Sequence, residues 1–366
     1  PTLLKLAEHT SSALDQISSL FLFGSLGYLL GSYIGGRLYD RVPGHRFMAG
    51  VLIFLGITIA LIPLASSRGA LFAVALISGL FKGALDVGCN TLLLWVHNEK
   101  VGPFMNGLHA FFGVGAFIAP LIVAQVLSAT GDIYWVYWLF AILSFPLAIW
   151  VWTLPSPLSR VVPAHHERAP FPVLPVLIMV LCFVLYVGGE AGYGAWIYTY
   201  AFTLNFGTEV TAAYLTSAFW GAFTLGRLFG IWFSTRARPI TILILDFAGC
   251  ILSVGLIILF PQSSFVLWLG TILFGISQAS IFPTFLPRAE ERMHVTGTIA
   301  GLFLVGAGVG GMILPWLIGQ AFVQVGAGAM MTMIFVGIVL NWLMLILFTK
   351  VSLRPSPVTE SAAIAD

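Results

Sequence analysis

The sequence predicts an all-α membrane protein of two six-helix bundles related by pseudo-twofold symmetry, with eleven spans visible and the first largely missing. Three observations predict it: composition, the sidedness of positive charge, and an internal repeat. Of 366 residues, 59% are apolar and 8% charged, against about 45–50% and about 25% in soluble domains. With a mean hydropathy of +1.01, no water-facing surface can be assembled. A transmembrane β-barrel alternates apolar and polar residues over strands of about ten, whereas the apolar runs here are continuous and longer.

Taken in order, apolar runs long enough for a ~30 Å hydrocarbon core fall at 17–39, 45–66, 70–97, 103–128, 133–153, 172–204, 207–235, 240–260, 264–286, 295–325 and 327–349. Lys5, Glu8, His9 and Asp15 interrupt the opening residues, so no secretory signal is expected there. Residues 154–171 hold four prolines and the pair His165 and His166, which reads as an interdomain linker. The expected organisation is a first bundle at 1–153, a linker at 154–171, a second bundle at 172–350 and a tail at 351–366.

Lys and Arg set orientation. Arg37, Arg41, Arg46, Lys100, Arg160, Arg168, Arg236, Arg238, Arg288, Arg292, Lys350 and Arg354 fall on one side, and Lys5 and Arg68 on the other. Twelve against two predicts a cytoplasmic linker and C-terminus in a multi-pass cell-membrane protein, with a bacterial inner membrane as the expected setting. The net charge of +2, without a basic run, argues against nucleic acid. Cys89, Cys182 and Cys250 sit in apolar runs without metal or disulfide spacing and read as core residues. No metal, cofactor or enzymatic constellation is expected, and the protein is expected to be monomeric in the lipid bilayer.

The halves repeat. Gly-Val-Gly-Ala-Phe-Ile-Ala-Pro at 113–120 matches Gly-Val-Gly-Gly-Met-Ile-Leu-Pro at 308–315, an offset of 308 − 113 = 195. The same offset carries Gly31, Gly35 and Arg41 onto Gly226, Gly230 and Arg236. Projected back by 195, the span at 172–204 ends at residue 9, so residues 1–9 correspond to the end of a helix.

Gly-Arg-Leu-Tyr-Asp-Arg-Val-Pro-Gly-His-Arg at 36–46 resembles the loop signature of the major facilitator superfamily, with one extra residue (Pro43) and His45 in place of a basic residue. The stretches 113–120 and 308–315 resemble that family's fifth and eleventh helices. A narrower resemblance is to the branch of fucose/proton symporters and sodium-dependent glucose transporters. It is carried by Gly-Ala-Leu-Asp-Val-Gly-Cys-Asn at 83–90, Met-Asn-Gly-Leu-His-Ala-Phe-Phe at 105–112 and Gly-Gly-Glu-Ala-Gly-Tyr-Gly-Ala-Trp at 188–196. The resemblance implies a sugar as substrate and ion-coupled symport. The arginine often found early in the fourth helix of proton antiporters is absent, with Gly79 and Lys82 nearby instead.

Charge inside a span costs at least ~2.5–3.5 kcal/mol and needs a partner, a cavity or a function. Lys82, Asp86, Asn90 and His97 share one helical face. Lys82 and Asp86 can neutralise each other, or Asp86 can bind the coupling ion: a carboxylate beside the amide oxygen of Asn90 suits Na⁺, and a carboxylate withdrawn from water can carry H⁺. Glu190 sits among Gly188, Gly189, Gly192 and Gly194, whose density predicts a broken or flexible helix. With Tyr193 and Trp196 it has the composition of a sugar site: acid oxygens for hydroxyls, ring faces for C–H faces. Gln278, Asn106, His109 and Trp220 are further candidates for substrate contact, each with a structural alternative. Arg227 is expected to snorkel or to pair with Asp246, and Tyr28 and Ser32 to line the first half of the path. Asp40, Arg41, Arg46 and Arg236 are expected to form a cytoplasmic latch. The expected function is symport of a small polyhydroxylated solute, a monosaccharide above others, coupled to H⁺ or Na⁺. A proton-driven exporter of amphiphilic or cationic compounds and a non-transporting receptor or scaffold are the alternatives.

Overall fold

A computed structural model describes residues 1–97, 101–157, 172–293, 295 and 297–351; the side chains of 101–103, 106, 297 and 298 are outside the description, as are most of the predicted linker and the tail. In hydrocarbon every backbone polar group must be paired within the chain, and helices meet that demand segment by segment. The helices are α1 (Leu3–His9), α2 (Leu14–Ile17), α3 (Ser19–Tyr39), α4 (Gly44–Leu61), α5 (Arg68–His97), α6 (Val101–Thr130), α7 (Tyr134–Thr153), α8 (Val173–Thr203), α9 (Glu209–Ser234), α10 (Pro239–Leu259), α11 (Ser264–Gln278), α12 (Ile281–Glu290), α13 (Gly297–Gln324) and α14 (Gly328–Val351).

Among the described residues ten segments are long and apolar enough to cross a bilayer. The eleventh predicted span, 207–235, is the 26-residue α9, which falls outside that set. Thr211, Thr216, Ser217, Thr224 and Arg227 dilute its apolar character.

The chain forms two compact units, 1–166 with 207–214, and 167–206 with 215–366. In the first unit α3 lies against α5 at backbone contact. A Cβ on Gly27 would come within 1.9 Å of the Leu76 carbonyl oxygen, on Gly31 within 1.8 Å of that of Leu80, and on Gly83 within 2.1 Å of that of Tyr28. Only glycine fits such an approach. Tyr39, Met48, Leu52, Leu92, Trp95 and Ala148 form a buried cluster near one end. At the opposite end Lys5 pairs with Glu8 and Glu209, and Gln125 donates to Tyr214.

The second unit repeats the arrangement. Gly226 meets the Ile276 carbonyl oxygen at 2.6 Å from a built Cβ, and Gly230 meets Ser280 at 3.1 Å. Their partners lie at 276 − 80 = 196 and 280 − 84 = 196 from Leu80 and Ala84, so the repeat read from the glycines extends to the surfaces they pack on. Ridges on α8 and α13 interlock similarly: a Cβ on Gly310 would lie 2.0 Å from the Val184 carbonyl oxygen, and one on Gly192 2.8 Å from Ile318. In the first unit, the α6 face that carries Gly115, the repeat mate of Gly310, is open. Gly115 has no atom within 4 Å of a built Cβ, and nearby Phe111 is 77% exposed.

Two expectations about helix continuity are corrected. The glycine-dense segment of α8 does not break: it is helical throughout 173–203, and its glycines admit neighbouring helices instead. The break falls between α11 and α12, at Ala279 and Ser280. Its cause is Pro283, in the first turn of α12, which has no N–H to offer and whose ring crowds the carbonyl four residues back, at Ala279.

Apolar side chains that face outward, such as Leu143, Ile149 and Trp150 on α7 and Leu252 and Leu259 on α10, suit acyl chains rather than water. Gly31→Ala, whose new methyl meets backbone, should cost about 1–3 kcal/mol and lower the thermal midpoint in detergent. Gly50→Ala, with open space around it, should leave that midpoint the same or slightly higher.

Candidate functional site

In the first unit the structure brings together Tyr28, Asp86 and Asn90. The glycine contact between α3 and α5 sets Tyr28 opposite Asp86, and the Tyr28 hydroxyl donates to Asp86 Oδ2. One turn along α5, Asn90 Nδ2 donates to the Asp86 carbonyl oxygen at 2.9 Å and to Oδ1 at 3.3 Å. Both carboxylate oxygens therefore hold a donor. This corrects one detail: the Asn90 amide turns its nitrogen, not its oxygen, to the carboxylate, because an oxygen there would be repelled. Asp86 and Lys82 remain exposed, and no ion pair joins them among the described residues. The self-neutralising pair is not formed.

Further along α5, His97 stacks on Phe104 with ring centroids 3.5 Å apart. His109 is exposed on α6 and has partners of its own. The side chain of Asn106 lies outside the described residues.

The second unit closes its polar groups inward. Tyr193 and Trp196 are 0% exposed. The Tyr193 hydroxyl bonds Thr271 at 2.7 Å and its ring sits between Phe219 and Phe274. Trp196 donates to the Pro315 carbonyl at 2.8 Å and stacks on Phe322. Both rings are covered by protein, so the expected sugar platform is a packed core. Trp220 is half-buried over Gly194.

Gln278 is 3% exposed. Its Nε2 donates to the Tyr186 carbonyl at 3.3 Å, and the Tyr186 hydroxyl donates to the Gln278 carbonyl at 3.0 Å. This reciprocal pair fastens the end of α11, at the helix break, to α8. Gln278 Oε1 is buried without a hydrogen-bond partner. Glu190, half-buried one turn beyond Tyr186, lies in the field of Arg227 and within reach of the Tyr186 hydroxyl. Asp246 is instead held by Ser280 at 2.8 Å, so the expected pairing of Arg227 with Asp246 is replaced. Tyr186 was not singled out in the sequence, although its position four residues before Glu190 is the signal that could have found it.

The expected latch is not assembled. Asp40, Arg41 and Arg46 are exposed and make no ion pair among the described residues. Arg236 folds back on its own helix, over the Trp232 ring at 4.2 Å and onto the Trp232 carbonyl. Among the described residues no three His, Cys, Asp or Glu side chains converge as metal ligands.

Paired glycine-contact helices, repeated at one offset and followed by proline-bearing helices in each half, are a specific architecture. The profile of the Major Facilitator Superfamily matches residues 1–315. The chain belongs to the major facilitator superfamily. It is 30% identical over 349 residues to sodium-dependent glucose transporter 1 of Xenopus laevis, covering 87% of this chain and 71% of that protein. To the Homo sapiens protein of the same name it is 28% identical over 358 residues, covering 87% and 69%. Major facilitator superfamily domain-containing protein 4A of Homo sapiens is 27% identical over 429 residues, covering 89% and 83%. The crystal structure of the nucleoside transporter NupG superposes with a TM-score of 0.70 at 16% identity, covering 96% of this chain and 93% of that one. At that identity the likeness concerns the fold alone.

Tyr193 is wholly buried and bonded to Thr271, which makes it a packing residue of the second unit. Tyr193→Phe should lower thermal stability by about 1 kcal/mol, through the lost hydrogen bond to Thr271, and leave the KM of uptake unaltered. A rise in KM larger than threefold would return Tyr193 to the binding site.

Proposed function

We propose that the protein is an ion-coupled symporter of a small polyhydroxylated solute, with Asp86 as the residue that couples ion to solute. The observation that carries this reading is the Tyr28–Asp86–Asn90 cluster, near the middle of a membrane helix, with Asp86 exposed and its two partners half-buried. A carboxylate at that depth is costly and marks an ion or substrate path, and two side-chain donors fix its oxygens in place. H⁺ and Na⁺ are both compatible with the residues present. The relatives named as sodium-dependent glucose transporters support a sugar as the solute and give Na⁺ as the first ion to test.

Alternating access requires the ion and the solute to bias one conformational equilibrium together. Asp86 is suited to that role because its partner Tyr28 comes from a second helix: neutralising the carboxylate changes what α3 and α5 share. Glu190, within reach of the Tyr186 hydroxyl beside the α11–α12 break, is suited to sensing the solute from the second unit. Carboxylate oxygens on both residues can accept from hydroxyl groups, and no aromatic platform is required.

In proteoliposomes with an imposed inward Na⁺ or H⁺ gradient, the wild-type protein should accumulate a labelled monosaccharide or sugar derivative. Asp86→Asn should abolish accumulation against a gradient while leaving solute counterflow. Gradient-driven accumulation by Asp86→Asn at the wild-type rate would remove Asp86 from coupling.

A further inference from the structure

Lys82 takes no part in the Tyr28–Asp86–Asn90 hydrogen bonds, and its position is unusual. It is the fifteenth of the thirty residues of α5, so at about 1.5 Å per residue it stands roughly 21 Å from either end of the helix. Its side chain is exposed, and it makes no hydrogen bond or ion pair among the described residues. Asp86, one turn away, is turned to other donors in this arrangement: Oδ2 accepts from Tyr28 and Oδ1 from Asn90, and no ion pair joins it to Lys82 among the described residues. The repeat mate at 82 + 196 = 278 is the uncharged Gln278, so the fold itself does not require a cation at this position. An ammonium this far from both headgroup layers, with no carboxylate partner, is costly unless it borders a water-filled path, and a charge on such a path marks a solute or ion route.

We propose that Lys82 binds an anionic group of the transported solute, which makes the substrate a sugar acid, a uronate or aldonate, rather than a neutral sugar. This rests on the assignment of Asp86 to the coupling ion. Charge bookkeeping along the face supplies the reason. Empty, Lys82 and Asp86 sum to zero. A proton or Na⁺ on Asp86 leaves the charge of Lys82 uncompensated at the depth where charge is costliest. A monoanionic carboxylate restores neutrality, so cation and acid favour each other's binding and travel together. A neutral hexose leaves the excess positive charge in place. A lysine is suited to this task because its ammonium offers three donors to a carboxylate as a point charge, without demanding the planar geometry of a guanidinium.

The test compares gradient-driven uptake of labelled glucuronate and labelled glucose by the full chain in proteoliposomes. Wild type should take up glucuronate with an apparent affinity at least about tenfold better than glucose, the factor one charge-assisted hydrogen bond supplies. Lys82→Gln should erase that discrimination, and Lys82→Arg should restore part of it; monodispersity of each variant in detergent excludes misfolding as the cause. Glucose taken up as well as glucuronate by wild type would overturn the inference and leave sugar symport intact, as would an undiminished preference for the acid in Lys82→Gln. Uptake of neither compound under either gradient would overturn the inference together with the symport reading.

Discussion

A charge halfway through a bilayer costs at least ~2.5–3.5 kcal/mol unless something answers it, and the first unit is organised around that cost. Asp86 is answered by Tyr28 and Asn90. Tyr28 can reach it only because α3 and α5 touch along their backbones, and they touch only because Gly27, Gly31, Gly79 and Gly83 carry no side chain there. The small residues that look like mere packing are therefore what holds the ionisable site in geometry. Loosening α3 from α5 would release the Tyr28 donor and leave the carboxylate half-satisfied.

The two units share a plan and use it differently. The glycine contacts recur at an offset of 195 to 196, yet α5 is continuous where α11 and α12 part. The first unit presents Lys82 and Asp86 outward. The second turns Tyr193, Trp196 and Gln278 inward, each bonded to a neighbouring helix. Pro283 accounts for the break, and Tyr186 and Asp246 hold its two sides through Gln278 and Ser280. One half therefore has an interrupted span beside Glu190, and the other an uninterrupted span that carries Lys82 and Asp86.

Much of this was legible in the sequence. Membrane class followed from composition, because no arrangement of so few charged residues covers a soluble surface. The repeat was legible because glycine positions are dictated by helix contacts, and those contacts were kept in both halves. The shared face of Lys82, Asp86 and Asn90 followed from helical spacing alone. What was not legible depended on partners distant in sequence. The glycines at 188–194 read as flexible because periodicity cannot show that α13 fills the space they leave. Tyr193 and Trp196 read as a sugar platform because an aromatic beside an acid looks alike whether its face is open or covered by Phe274 or Phe322. The direction of the Asn90 amide required the position of the carboxylate oxygens. The break at 279–280 had a visible signal in Pro283, outweighed by the stronger but misleading run of glycines in α8.

The central claim is that the face of α5 bearing Lys82 and Asp86 borders water at mid-membrane. Cysteine accessibility tests it most directly. On a background with Cys89, Cys182 and Cys250 replaced, single cysteines at positions 82 and 86 and at Ile77, an exposed apolar residue of the same helix, would be treated with a membrane-impermeant, thiolate-selective reagent in sealed vesicles and in detergent. The account predicts rapid labelling at 82 and 86 from one side of the membrane and none at 77 until the bilayer is dissolved. Protection of 82 and 86 to the same degree as 77 would place that face in lipid or in packed protein, and would contradict the account.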